Sequence, residues 1–106
     1  MVLKQNIMSF VDGIVLEFHP RRIILFGSYA NGEANQFSDV DLLIEMKKEP
    51  LNGLETVGLI IGKLKPSFPV DLIVHSTRQV KSRLRQGDFF LRNIVTKGEK
   101  LYECTR

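Results

Sequence analysis

The stretch that decides the fold spans residues 22–46 and has the sequence RIILFGSYANGEANQFSDVDLLIEM. Its first part, Arg22–Phe26, is rich in β-branched and aromatic residues and therefore predicts a strand. Its last part, Asp39–Met46, alternates apolar with acidic residues, which is typical of a strand with one buried face. We therefore expect a sheet in which the apolar side chains of this second strand point one way and its acidic side chains point the other way.

A glycine and a serine, Gly27-Ser28, end the first strand. We expect a short helical turn over Ser28–Ala30, followed by a polar loop over residues 31–38. Glycine lets a phosphate approach the backbone, and the start of a helix presents N–H groups that have no partner within the helix. The serine hydroxyl is a further donor. Gly27 and Ser28 are therefore a candidate anion-binding turn.

Two aspartates, Asp39 and Asp41, lie two residues apart on the second strand and should point to the same face. A rise of about 3.3 Å per residue puts them roughly 6–7 Å apart. Such carboxylates suit Mg²⁺, which prefers oxygen ligands and often completes its shell with substrate phosphates. Without a cation they would repel each other. Glu45 shares this face, but we expect it to lie beyond the site and in solvent.

A third aspartate, Asp71, belongs to another predicted strand, Val70–Val74. If this strand neighbours the second strand, the carboxylates of Asp39, Asp41 and Asp71 converge. Three carboxylates can hold two metal ions, an arrangement that stabilises the attacking and leaving oxygens in phosphoryl transfer. Asp71 would then bind the second metal ion and take a proton from the attacking hydroxyl.

Hydrophobic periodicity and chain-breaking residues predict the other elements. The complete pattern predicts an α+β (α/β) domain, with a small mixed β-sheet and helices packed on one side of it. The predicted helices span residues 3–18, 54–64, 77–85 and 88–96, with a chain break at 50–53 and a short edge strand at 101–103.

Length and composition restrict the class of protein. The 106 residues and an apolar content of 43% fit one globular domain, residues 1–106. No apolar run approaches the roughly 18 residues needed to cross a membrane, and residues 1–18 are amphipathic, unlike a signal peptide. The single cysteine, Cys104, excludes an internal disulfide and multi-cysteine zinc patterns, so a cytoplasmic location is the simplest expectation. The net charge of +3 weakly favours an anionic partner.

The spacing of these motifs is specific. Gly27-Ser28, ten intervening residues and then Asp39-Val40-Asp41 resemble the signature of the DNA polymerase β-like nucleotidyltransferase superfamily. The longer strings at residues 26–34 and 38–44 are similar to its minimal nucleotidyltransferase (MNT) members. Those domains are often encoded beside a helical HEPN protein as toxin–antitoxin pairs. The resemblance extends from Ile14 to about His75 and implies the polymerase β-like nucleotidyltransferase fold.

The resemblance also implies an activity. Family members transfer a nucleoside monophosphate from a nucleoside triphosphate to a hydroxyl group. For this chain the resemblance implies AMP, ATP and Mg²⁺, with two metal ions. It makes Asp39, Asp41 and Asp71 the metal-binding and catalytic residues, and Gly27 and Ser28 the nucleotide-binding residues. The implied partner is a HEPN-type ribonuclease toxin, which the antitoxin adenylylates on tyrosine and so silences.

Two alternatives to this function stay open. One is a non-catalytic antitoxin that acts by binding, and the other is a nucleotidyltransferase that modifies RNA or a small molecule. Many family members carry arginine where this chain has Asn31. The asparagine leaves this chain without a charged donor near the turn. We therefore expect either weaker triphosphate binding or another cation in place of the arginine. The carboxylates argue against the first alternative. The 106 residues hold no extra domain for an acceptor, which weighs against the second.

A basic region near the C-terminal helices has two interpretations. Lys81, Arg83, Arg85 and Arg92 form either a solvated helix face or a surface for a partner or RNA, and the pattern favours neither. The sequence therefore leaves direct nucleic-acid binding open, as it does the oligomeric state.

Overall fold

The computed structural model describes residues 1–49 and 52–105, and its elements follow the predicted order. The predicted break at 50–53 lies partly outside these residues. Within them, no helix is long and apolar enough to cross a membrane. The bounds of the elements differ from the predicted ones by at most two residues. They are α1 Lys4–Phe18, β1 Arg22–Phe26, α2 Ser28–Asn31, β2 Val40–Met46, α3 Gly53–Leu64, β3 Val70–Ser76, α4 Thr77–Arg85, α5 Phe89–Lys97 and β4 Glu99–Glu103.

The strands of residues 1–49 and 52–105 form a four-stranded sheet in the order β3-β2-β1-β4. β1 pairs antiparallel with both β2 and β4, whereas β2 pairs parallel with β3. The parallel pair requires a crossover, and α3 supplies it. The predicted mixed sheet and the α+β class are therefore confirmed.

The helices lie on both faces of this sheet, so the prediction that they pack on one side is wrong. On one face, α1 and α3 cover the side chains of Ile23, Leu25, Leu42 and their neighbours. On the other face, α4 and α5 cover Ile24 and Leu43. The reason is that Leu42, Leu43 and Ile44 are consecutive buried residues, and a central strand that is apolar on successive positions needs cover on both faces.

β3 passes directly into α4 without a loop. Ser76, the last residue of the strand, is also the N-cap of the helix, where its Oγ accepts a hydrogen bond from the backbone N–H of Gln79 at 3.0 Å. The Gln79 side chain accepts one in return from the backbone N–H of Ser76 at 2.8 Å. This capping box satisfies two backbone donors and fixes where α4 leaves the sheet.

Glu45 is buried, so the expectation that it lies in solvent is wrong. It is 3% exposed, at the end of the sheet remote from Asp41. Its Oε1 accepts hydrogen bonds from Arg22 Nη2 at 2.6 Å and Nε at 3.1 Å, and its Oε2 accepts one from Thr77 Oγ1 at 2.8 Å. Arg21 adds an ion pair at 3.4 Å. A carboxylate can be buried here because both its oxygens are paired.

Replacing Glu45 with alanine should lower the free energy of unfolding by about 2–3 kcal/mol, because Arg22 and Thr77 lose a buried acceptor. The loss stays moderate since the Arg22 side chain is 22% exposed and keeps some contact with water. Urea unfolding would measure it. Glu33→Ala, which removes an exposed carboxylate, should change stability by less than about 0.5 kcal/mol. Equal stabilities for the two variants would contradict this account of Glu45.

Candidate active site

Asp41 and Asp71 lie opposite each other on the parallel strands β2 and β3. Residues paired in this way are about 4.8 Å apart at their Cα atoms, and their side chains point to the same face. This is the face covered further along by α4 and α5. Asp41 is half-buried, whereas Asp71 is exposed. The structure therefore brings together the carboxylates of two separate sequence motifs.

Asp39 lies just before β2 and is exposed. It influences Asp41 electrostatically. Burial raises the pKa of the Asp41 carboxyl above its ordinary value, and the negative charges of Asp71 and then Asp39 raise this pKa further. The three carboxylates thus form one local region of negative charge. Nevertheless, no three Asp, Glu, His or Cys side chains within residues 1–49 and 52–105 already surround a single metal position. Their convergence on metal ions stays a prediction.

Gly27 is the N-cap of α2 and lies against Asp41. Its φ of 73° and ψ of −152° are strained for any residue with a side chain. A Cβ atom at this position would overlap Oδ2 of Asp41. The glycine therefore serves both the turn and the close approach of the turn to the carboxylate. Ser28, the first residue of α2, is half-buried beside it, and its contact with a nucleotide stays a prediction.

A pocket of about 320 Å³ opens between this turn, the two strands and α5. Its lining includes Asp41, Asp71 and Gly27, but neither Asp39 nor Ser28 is part of it. The remaining lining residues are Phe26, Ala30, Asn31, Phe90, Asn93, Ile94, Lys97 and Gly98. Its size lies at the lower end of the range for small-molecule sites.

One wall of the pocket, formed by α5, is absent from the sequence-based prediction of the site. Phe90, Asn93 and Lys97 contribute this wall. The spacing of these residues, i, i+3 and i+7, places them on one side of a helix. This spacing is the feature of the sequence that could have grouped them. Phe90 also meets Phe26 edge to face, with ring centroids 5.8 Å apart and planes at 88°. This contact holds the start of α5 beside the residue that precedes Gly27.

The basic region of α4 and α5 is partly neutralised. Arg83 forms an ion pair with Asp88 at 3.6 Å, and Arg92 donates to the backbone oxygen of Leu84 at 3.3 Å. Arg83 and Arg85 line a groove of about 630 Å³ along α4, and none of the three aspartates lines this groove. A role for this region in binding a partner or RNA stays a prediction.

Known proteins resemble this chain over most of its length. The family model described as a nucleotidyltransferase domain matches residues 8–101. A provisionally named protein adenylyltransferase of Methanocaldococcus jannaschii is 29% identical over 101 residues, which cover 93% of this chain and 97% of that protein.

Two solved structures share the fold. The crystal structure of a provisionally named nucleotidyltransferase from Sulfolobus solfataricus superposes with a TM-score of 0.65 at 20% identity, over 93% of this chain and 78% of that one. The crystal structure of a toxin–antitoxin with AMP-PNP superposes with a TM-score of 0.59 at 22% identity, over 92% and 74% of the two chains.

Proposed function

Because the chain belongs to the nucleotidyltransferase domain family, we propose that it transfers AMP from ATP to a hydroxyl group of a partner protein. Family membership makes it a nucleotidyltransferase. The choice of a protein as acceptor is supported by the M. jannaschii protein adenylyltransferase, which aligns with this chain over nearly the full length of both. The observation that carries the proposal is the pairing of Asp41 with Asp71 beside the Gly27 turn.

The proposed partner is a HEPN-type ribonuclease toxin, and this chain would be its antitoxin. The toxin–antitoxin structure that shares the fold supports a toxin as partner, and the AMP-PNP in that structure supports ATP as the nucleotide. The resemblance of residues 26–34 and 38–44 to MNT domains supports the HEPN class. In this proposal the toxin presents a tyrosine hydroxyl to the pocket.

The carboxylates fit a divalent metal. Asp41 and Asp71 would hold Mg²⁺, with Asp39 as a further ligand. In the family pattern, carboxylates placed in this way hold two ions. Their oxygens are the ligand type that Mg²⁺ prefers. Burial, and then the negative charges of Asp71 and Asp39, raise the pKa of Asp41, and a bound cation would offset that repulsion. When bound, the metal supplies charge stabilisation for the phosphoryl oxygens.

The residues of the chain have separate roles in the proposed transfer. Gly27 leaves space for the triphosphate at the backbone, and the Ser28 hydroxyl donates a hydrogen bond to a phosphate oxygen. The acceptor oxygen attacks the α-phosphorus and forms a bond to it. The bond between the α-phosphorus and the β-phosphate oxygen breaks, and pyrophosphate leaves. Asp71, the more exposed of the two paired carboxylates, accepts the proton of the acceptor hydroxyl.

Asp71→Asn should retain much of the affinity for ATP but lose transfer by roughly 100-fold, because the amide cannot accept the proton. Calorimetry with ATP and Mg²⁺, together with transfer of label from ATP to the purified toxin, would measure both quantities on one preparation. Asp12→Asn is the matched control, since it removes an equal charge from an exposed position on α1. Transfer that survives in Asp71→Asn would exclude the proposed role of Asp71.

The same assay separates the alternatives. Neutralisation of the toxin without any label transfer, by the wild type and Asp71→Asn alike, would favour an antitoxin that acts by binding. Label that appears on RNA or a small molecule but never on protein would favour the other alternative.

A further inference from the structure

α5 presents a stripe of three chemically different side chains to the pocket that holds Asp41 and Asp71. The stripe consists of Phe90, Asn93 and Lys97, an aromatic ring, an amide and an ammonium group. All three are exposed, so packing of the core does not explain their identities. Ile94, on the neighbouring side of the helix, is buried and anchors α5 to the sheet.

Lys97 is the cationic end of the stripe. It is the one Lys or Arg among the described residues that line this pocket. Within residues 1–49 and 52–105, it forms no ion pair, although Asp41 and Asp71 line the same pocket. Its charge is therefore available to an anionic ligand.

Phe90 is the apolar end of the stripe. Its contact with Phe26 leaves the residue 59% exposed, so part of its ring surface is open at the pocket that it lines. An exposed ring at the edge of a pocket can stack against a nucleobase, a contact that depends on the flat face of the base.

We propose that α5 recognises the nucleoside triphosphate through this stripe, with Lys97 binding the phosphates and Phe90 stacking on the base. The assignment rests on the proposed function, because it assumes that ATP occupies the pocket. Lys97 lies seven positions after Phe90, a rise of about 10 Å along the helix, which an extended nucleoside triphosphate can span. Asn93 lies between them and offers both a donor and acceptors to the sugar.

Competition against fluorescently labelled ATP in Mg²⁺ tests both ends of the stripe, with ATP, inorganic triphosphate and adenosine as competitors. Lys97→Met should weaken binding of ATP and triphosphate by roughly tenfold and leave adenosine unchanged. Phe90→Ala should weaken binding of ATP and adenosine by roughly tenfold and leave triphosphate unchanged. Lys97→Arg should retain most of the phosphate affinity, because it retains the charge.

Two matched controls remove the same kinds of side chain at positions outside the pocket. Lys81→Met removes an exposed charge from α4, and Phe89→Ala removes the neighbouring exposed ring, which does not line the pocket. Both should bind all three competitors as the wild type does. Phe90→Leu, which retains apolar contact with Phe26, shows that any loss in Phe90→Ala comes from the ring and not from a displaced helix, since it should lose the same adenosine affinity.

The outcomes distinguish this inference from the proposed function. If the wild type binds ATP and both stripe variants bind it equally well, the inference is overturned and the proposed function is unaffected. Loss of all three competitors to the same extent in either variant would also overturn it, because the two ends would then not act separately. A wild type that binds no ATP would overturn both.

Discussion

Replacing Asp41 with asparagine is expected to reduce nucleotidyl transfer by roughly 1,000-fold while the protein stays folded. Asp41 lies at the centre of the site, opposite Asp71 and in contact range of the Gly27 turn. An amide at this position has a similar shape but supplies only a neutral oxygen, which is a weaker ligand for Mg²⁺ than a carboxylate. Label transfer from ATP to the partner would measure the effect, and a wild-type rate would contradict the assignment of the site.

The metal-free Asp41→Asn protein should be more stable than the wild type at neutral pH. The pKa of Asp41 is raised in the folded state by burial and by the charges of Asp71 and Asp39, so the folded protein binds this proton more readily than the unfolded chain. The wild type therefore loses stability as the pH rises from the unfolded pKa through the raised folded pKa. The advantage of the variant should disappear in acid, where Asp41 is protonated. Thermal unfolding across this pH range would check the sign, with Asp12→Asn as control.

Replacing Gly27 with valine is expected to reduce transfer by roughly 100-fold and to weaken ATP binding as well. Two effects combine at this position. The backbone conformation of Gly27, with φ 73° and ψ −152°, is essentially confined to glycine and costs about 1–3 kcal/mol for a residue with a side chain. The new Cβ would also displace the Asp41 carboxylate. Ser28→Ala should have a smaller effect, because the backbone amides of the turn remain.

Gly32→Ala separates these two effects. Gly32 also has a positive φ, 77°, but a Cβ atom there would meet nothing within 4 Å. This variant therefore carries the strain of a left-handed backbone conformation, φ 77° and ψ 17°, without the clash. We expect it to lose stability but to retain most of its transfer activity. If Gly27→Val and Gly32→Ala lost equal activity, strain alone would account for the result and the contact with Asp41 would be irrelevant.

The sequence predicted the side of the pocket that carries Asp41 and Asp71 better than the side that α5 forms. Alternation over residues 39–46 and a third aspartate at 71 are local patterns, and local patterns specify which face of a strand a side chain occupies. The bounds of β1 and α4 were correct for the same reason. The i, i+3 and i+7 spacing of Phe90, Asn93 and Lys97 places them on one side of a helix, but it does not say which part of the sheet that side meets.

The two errors concern one face of the sheet. Leu43 and Glu45 share that face with Asp41, and the acidic residues suggested that it was open to water. Leu43 is in fact buried beneath α4 and α5, and Glu45 is buried because arginines and a threonine surround it. Whether a charged residue on a strand is solvated depends on partners that arrive from elsewhere in the chain.

The strand register that pairs Asp41 with Asp71 is also the register that buries the apolar residues of β3. Leu72 directly follows Asp71, and both Leu72 and Val74 belong to the core beneath α1 and α3. A slip of β3 by one residue would turn Asp71 towards this core and turn Leu72 away from it. A mutation that shifts the register of β3 would therefore destabilise the fold as well as separate the two aspartates.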